Sequence, residues 1–191
     1  MNNIPAFNQA MVSELLSQFP AEKIERDRKM IKAYQVIIVA FSGGKDSLAC
    51  LLYLIALGVD LSKVELWHHD IDGHGSDFFD WECTPAYCQA VADAFGIPLY
   101  FSYKVNGFEG ELIRRNISFK GCQATAFEVP DGMGGKRLEY AGGKDANTDS
   151  GYTVGYGFPA GVASLIERWC SGALKIDPAS IAINNQSRFK G

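Results

Sequence analysis

The residues best suited to chemistry in this chain are the run Ser42-Gly43-Gly44-Lys45-Asp46-Ser47. Two adjacent glycines remove side chains where a ligand oxygen must approach the main chain. They also let successive N–H groups turn inward as an anion-binding nest. Ser42 and Ser47 add hydroxyl donors, and Lys45 adds a compact positive charge suited to phosphate. The pattern is not a Walker loop, which needs Gly-x-x-x-x-Gly-Lys-Ser/Thr, because Asp46 follows Lys45 here. Nor is it the dinucleotide fingerprint, whose third glycine is missing. The competing reading is a plain strand-to-helix turn.

A second set lies in His68, His69, Asp70, Asp72, His74 and Asp77. Neighbours on a strand point to opposite faces, so His68 and His69 do not readily share one metal. His69, Asp70, Asp72 and His74 fall on a loop that could converge on a cation. Magnesium travelling with a nucleotide would choose the carboxylates Asp70 and Asp72. The alternative is a solvated loop. Of the five cysteines, Cys83 and Cys88 are spaced too widely for a zinc half-site. Cys50 and Cys88 read as helix residues packed inward, and Cys170 stands apart because Arg168 is beside it, where a cation lowers a thiol's pKa. Ala141-Gly142-Gly143-Lys144-Asp145-Ala146 echoes the first loop but has no buried strand before it and no helix-opening serine after it.

Elements must position these groups. Residues 8 to 34 read as helical, broken at Pro20. Val36 to Phe41 is a continuous apolar, β-branched run of the kind buried on both faces of a parallel sheet. The glycine loop follows at once, then a helix from Ser47 to Gly58 with a stripe of Leu48, Leu51, Leu52 and Ile55. This places the loop past the carboxyl end of a strand, where open α/β sheets bind ligands, and at the positive end of a helix. Val64 to His69 reads as a strand. Pro85 to Phe95 reads as a helix capped by Thr84. Gly96-Ile97-Pro98 turns the chain into a strand at Leu99 to Tyr103. This alternation predicts an α/β fold with a doubly wound, mainly parallel, Rossmann-like sheet. The second half is less regular: a glycine-rich insertion spans about 129–157, followed by helices over Ala160 to Cys170 and Asp177 to Ile183.

The bulk composition sets the frame. The chain has 191 residues, of which 47% are apolar and 21% charged, with a formal net charge of −4. One nucleotide-binding domain over 1–191 is expected, and the charge argues against a surface that coats nucleic acid. No apolar run reaches the roughly 18 residues of a membrane span. No signal peptide is evident, so a cytoplasmic protein with reduced thiols is expected.

At Ser42 to Ser47 the chain resembles the PP-loop superfamily, with its adenine nucleotide alpha hydrolase-like fold. Within it the chain looks most like the phosphoadenosine phosphosulfate (PAPS) reductase family. Three blocks carry the resemblance: Ile38 to Ser47, Trp67 to Tyr103, and Arg168-Trp169-Cys170-Ser171 with Leu174-Lys175-Ile176 and Pro178. The resemblance implies that Ser42, Gly43, Gly44, Lys45, Asp46 and Ser47 hold phosphate. It places Asp70 or Asp72 near the nucleotide, where the family has Asp-Thr-Gly, and it gives Arg168 and Lys175 the neutralisation of sulfate, phosphate or substrate charge. The implied activity is an ATP- and magnesium-dependent adenylation that releases pyrophosphate and is linked to sulfur transfer. Lys45 would be the main charge, Asp46 or Asp70 the magnesium-side carboxylate, and Cys170 a candidate sulfur carrier. The alternatives are a sulfonucleotide reductase using PAPS and Cys170, and a nucleotide-binding module completed by a partner protein or a second copy. The family's Asp-Thr-Gly and its C-terminal Glu-Cys-Gly are absent, and there is no Cys-x-x-Cys, so no iron–sulfur cluster is expected from this chain. A short or truncated family member ending at Gly191 is the expectation.

Overall fold

The computed structural model describes residues 8–114, 124–142, 155–156 and 169–190. The expected helix over Ala160 to Cys170 lies almost wholly outside them. So do Arg168, Cys122, most of the echo loop and residues 143–154 of the glycine-rich stretch. The helices are α1 (Gln9–Ser17), α2 (Ala21–Ala33), α3 (Lys45–Ala56), α4 (Thr84–Phe95), α5 (Gly107–Leu112), α6 (Trp169–Ser171) and α7 (Asp177–Asn185). The strands are β1 (Ile37–Ala40), β2 (Val64–His69), β3 (Leu99–Lys104), β4 (Ile113–Arg114), β5 (Thr125–Pro130), β6 (Lys136–Ala141) and β7 (Gly155–Tyr156). A π-helical turn, Gly172–Ile176, joins α6 to α7.

The fold is α/β. Five strands form an open mixed sheet in the order β1-β2-β3-β5-β6, and β4 pairs with β7 in a separate ribbon. β1 and β2 are parallel, from Ile37 opposite Val64 to Ala40 opposite Trp67. The Leu66 N–H to Pro98 and Asp70 N–H to Ser102 bonds advance together, so β2 and β3 are parallel too. β5 reverses: it is antiparallel to β3 and to β6. The order steps from β1 to β6 without turning back, so no switch point of a doubly wound sheet occurs among the described strands. β1 is an edge among the described strands, and it is not covered on both faces as its apolar run suggested. Val39 and Phe41 are buried but Ala40 is exposed. An apolar run reports hydrophobicity, not whether a layer covers each face.

The start of the glycine-rich insertion is the β5–β6 hairpin. Its turn is held by Asp131, whose Oδ1 accepts the Met133 N–H at 2.7 Å and the Gly135 N–H at 2.8 Å. These donors hold the Asp131 carboxyl below the usual carboxylate range. α7 packs on β5 and β6.

The described chain divides into two compact units: Met1–His68 with Cys83–Tyr100, and His69–Glu82 with Phe101–Gly191. In the first, the helix after the glycine loop begins at Lys45, two residues before the expected start, with Gly44 as its cap residue. Pro20 separates α1 from α2 as expected, standing at the cap of α2. Thr84 falls inside α4, and Cys83, not Thr84, occupies the cap position, without a side-chain capping bond. Cys88 is fully buried, but Cys50 is exposed. The α3 face that carries Leu51 and Ala56 enters the core, and one residue of helical rotation, about 100°, turns Cys50 outward.

α2 is latched to α3 by a small polar cluster. Asp27 is buried, takes the Lys23 ammonium one helical turn away, and accepts from the Tyr53 hydroxyl at 3.0 Å. Arg26 adds a longer contact at 3.3 Å. The Lys23 hydrogen bond, above all, lowers the Asp27 pKa, and the same bond raises that of Lys23. A lowered acid pKa adds stability above the unfolded value of about 3.9, and that stability is lost as pH falls through the folded value. The raised Lys23 pKa works in the other direction: its share is present below about 10.4 and disappears as pH rises beyond it. Asp27→Asn is therefore expected to lower the urea midpoint at pH 7, with the gap from wild type closing as pH drops below the carboxylate range. Urea unfolding at pH 7 and pH 3 checks this; a gap that stays constant would sink the assignment.

Candidate functional site

The glycine loop belongs to the first unit. β1 delivers it: the Phe41 N–H donates to the Trp67 carbonyl at 2.7 Å, extending the parallel ladder one residue past Ala40. The chain then leaves the sheet. Gly43 takes a left-handed φ of +78°, and Gly44 returns to extended backbone at φ −77° before α3 starts. The turn closes on itself. The Ser42 hydroxyl lies 3.3 Å from the Ser47 hydroxyl and 3.4 Å from the Gly44 N–H, and Ser47 donates to the Gly44 carbonyl at 2.9 Å.

Two further features bear on anion binding. No side chain caps the N-terminus of α3, so its first N–H groups lack the usual Ser, Thr, Asp or Asn acceptor. The Lys45 side chain is 92% exposed and that of Asp46 89%, and they pair with each other at 2.7 Å. That hydrogen bond holds Lys45 above the usual lysine range. An exposed pair of this kind is screened by water and contributes little, so the ammonium can be drawn to another anion at little cost.

The loop rests on α4. A Cβ on Gly43 would lie 3.1 Å from the Cys88 sulfur and 3.1 Å from Tyr87 Cδ1. His68 completes this underlayer: its Nδ1 lies 2.9 Å from the Phe41 carbonyl and 3.4 Å from Cys88 Sγ. The sequence singled out neither the His68 contact nor the Tyr87–Cys88 floor. His68 lies 27 positions from Phe41, and no local pattern joins them.

Asp70 and Asp72 belong to the second unit, where they are not solvated; they are 7% and 5% exposed. Asp70 accepts the Asp72 N–H at 2.9 Å and the His74 N–H at 3.1 Å, one on each oxygen. Asp72 Oδ2 accepts from Phe79 N–H at 2.9 Å and Asp80 N–H at 2.7 Å, while Oδ1 is buried with no hydrogen-bond partner. The loop packs tightly on the start of α5: Phe108 N–H donates to the Ile71 carbonyl at 2.7 Å, and a Cβ on Gly107 would meet the Asp72 carbonyl carbon at 2.2 Å. The two histidines turn elsewhere. His69 Nδ1 lies 2.7 Å from Ser102 Oγ, and the His74 ring stacks on Tyr103 at 5.4 Å. A convergence of His69, Asp70, Asp72 and His74 on one point, which the sequence left open, is not found. No group of three metal-ligating side chains occurs among the described residues.

Cys170 is half-buried at the start of the C-terminal helical stretch, and Lys175 is exposed on the π-helical turn. Trp81 is 80% exposed. A cavity of about 240 Å³, lined by Arg28, Lys32, Leu57, Gly58 and Lys63 among others, lies at the far end of α3 from the glycine loop. That end is roughly 18 Å away for a helix of 12 residues. No helix among the described residues is long and apolar enough to cross a membrane. No protein-family model, curated protein or solved structure matches the chain.

The two glycines of the loop should respond differently to a methyl group. Gly43→Ala must hold a left-handed residue, at about 1–2 kcal/mol, and also press on Cys88 and Tyr87. Gly44→Ala meets only Ser42 Oγ, at 3.4 Å, with φ already negative. Urea denaturation of both variants should show a clear loss for the first and a small change for the second; equal losses would contradict this loop conformation.

Proposed function

We propose that the chain is a PP-loop protein, resembling the PAPS reductase family, that binds an adenine nucleotide through its phosphates at Ser42–Ser47. The observation that carries this reading is the uncapped N-terminus of α3 behind a left-handed glycine, with Lys45 exposed on its first turn. An uncapped helix start, a positive helix end and an exposed ammonium suit a pyrophosphate. The proposed activity is adenylation of an acceptor by ATP with loss of pyrophosphate, linked to sulfur transfer.

Each residue has a physical task in this proposal. As the bond to the leaving pyrophosphate breaks, negative charge builds on its oxygens. Loop N–H groups and Lys45 would stabilise that charge more than they stabilise the ground state. Ser42 and Ser47 would turn their hydroxyls from each other to the phosphate. Asp46 holds Lys45 when no anion is present and is released when one arrives. Magnesium, when bound, supplies charge neutralisation on the phosphates. It needs only one or two carboxylates because it keeps waters and phosphate oxygens as its other ligands. Asp70 and Asp72 remain proposed magnesium-side carboxylates. Lys175 and Arg168 remain proposed anion contacts, and Cys170 a proposed sulfur carrier.

Calorimetry with magnesium–ATP and with PAPS, on wild type and Lys45→Ala, tests the reading. ATP should bind, and Lys45→Ala should weaken it by about tenfold or more, the scale of a lost charge-assisted bond. Binding of PAPS but not ATP would replace adenylation by sulfonucleotide reduction and make Cys170→Ser the next variant. Binding of neither would remove the nucleotide assignment.

A further inference from the structure

Phe41 is the last residue before the loop, and both of its backbone polar groups are held by β2. Its N–H donates to the Trp67 carbonyl at 2.7 Å, and its carbonyl lies 2.9 Å from His68 Nδ1. A carbonyl can only accept, so Nδ1 carries the hydrogen. The imidazole is 3% exposed. The peptide plane between Phe41 and Ser42 is thus fixed by a side chain from the neighbouring strand, one residue before Gly43 turns left-handed. The same Nδ1 is 3.4 Å from Cys88 Sγ, and that sulfur lies under Gly43. One ring therefore touches both the entry to the loop and the floor beneath it.

We infer that His68 is a positioning residue of the glycine loop. Its Nδ1–H orients the Phe41 carbonyl, and through it the loop N–H groups, toward a pyrophosphate-like anion. The inference rests on the phosphate reading of the loop and assigns a residue outside the loop motif to that site. A hydrogen bond buried this deeply is costly to leave unmade, because the carbonyl loses its partner without regaining water. Removing the donor frees the peptide plane to rotate, and the loop N–H groups rotate with it. Asparagine preserves the donor, since its Nδ2 stands two bonds from Cβ, as histidine Nδ1 does. Leucine keeps the apolar bulk and removes the donor.

Three measurements on the whole chain test this. Ring-nitrogen NMR of the free protein should show His68 as the Nδ1–H tautomer. Amide exchange at Gly43 to Ser47 should accelerate in His68→Leu and return toward wild type in His68→Asn. Titration with inorganic pyrophosphate should weaken about tenfold in His68→Leu and stay within about threefold in His68→Asn, the range of one buried hydrogen bond. An Nε2–H tautomer, unchanged loop exchange in His68→Leu, or an Asn variant as impaired as the Leu variant would each overturn the inference. Should His68→Leu fail to melt cooperatively, the tautomer and the Asn variant still decide. Wild type that ignores pyrophosphate would remove the phosphate reading, while tautomer and exchange would judge the positioning role separately.

Discussion

The last rung of the β1–β2 ladder, from the Phe41 N–H to the Trp67 carbonyl, fixes where regular structure stops and the loop begins. A parallel pair repeats its hydrogen bonds at even spacing, so the register that sets Ala40 opposite Trp67 also sets Phe41 opposite His68. Beyond that point the chain must rise from the sheet and start a helix within three residues. A left-handed residue achieves this reversal in the shortest length, and Gly43 supplies it. The start of α3, the exposure of Lys45 and the hydroxyl pair of Ser42 and Ser47 all follow from that one turn.

What lies beneath the loop matters as much as what lines it. Cys88 and Tyr87 approach from an element distant in sequence and would crowd a side chain at position 43, and His68 lies against Cys88. Close packing of this kind transmits a small displacement of the floor to the loop above it, since a dense interior has little free volume to absorb strain.

The second unit solves a different problem by related means. Burying Asp70 and Asp72 removes two carboxylates from water, which costs heavily unless donors replace it. Four backbone N–H groups do so, from Asp72, His74, Phe79 and Asp80. The carboxylates thereby fold the residues that follow β2 around themselves. Their first role is structural, and the lone unpaired Asp72 Oδ1 marks where the structural demand ends.

Much of the local structure was legible in the sequence because short-range physics controls it. The strand Val64 to His69, the break at Pro20 and the helices beginning near Pro85 and Asp177 lie close to where their residues predict. The glycine loop between strand and helix was equally plain, because backbone conformation there depends on the absence of Cβ atoms. The outward turn of Cys50, the edge position of β1, the reversal of β5 and the burial of Asp70 and Asp72 depend on neighbours far along the chain. So does the bond from His68 to Phe41, which local pattern cannot encode. The sequence by itself determined which segments fold as strand or helix and where the glycine turn falls, through propensity, periodicity and glycine. Only the tertiary structure decided which polar groups meet across 27 or more positions, because that depends on how strands pair and helices pack.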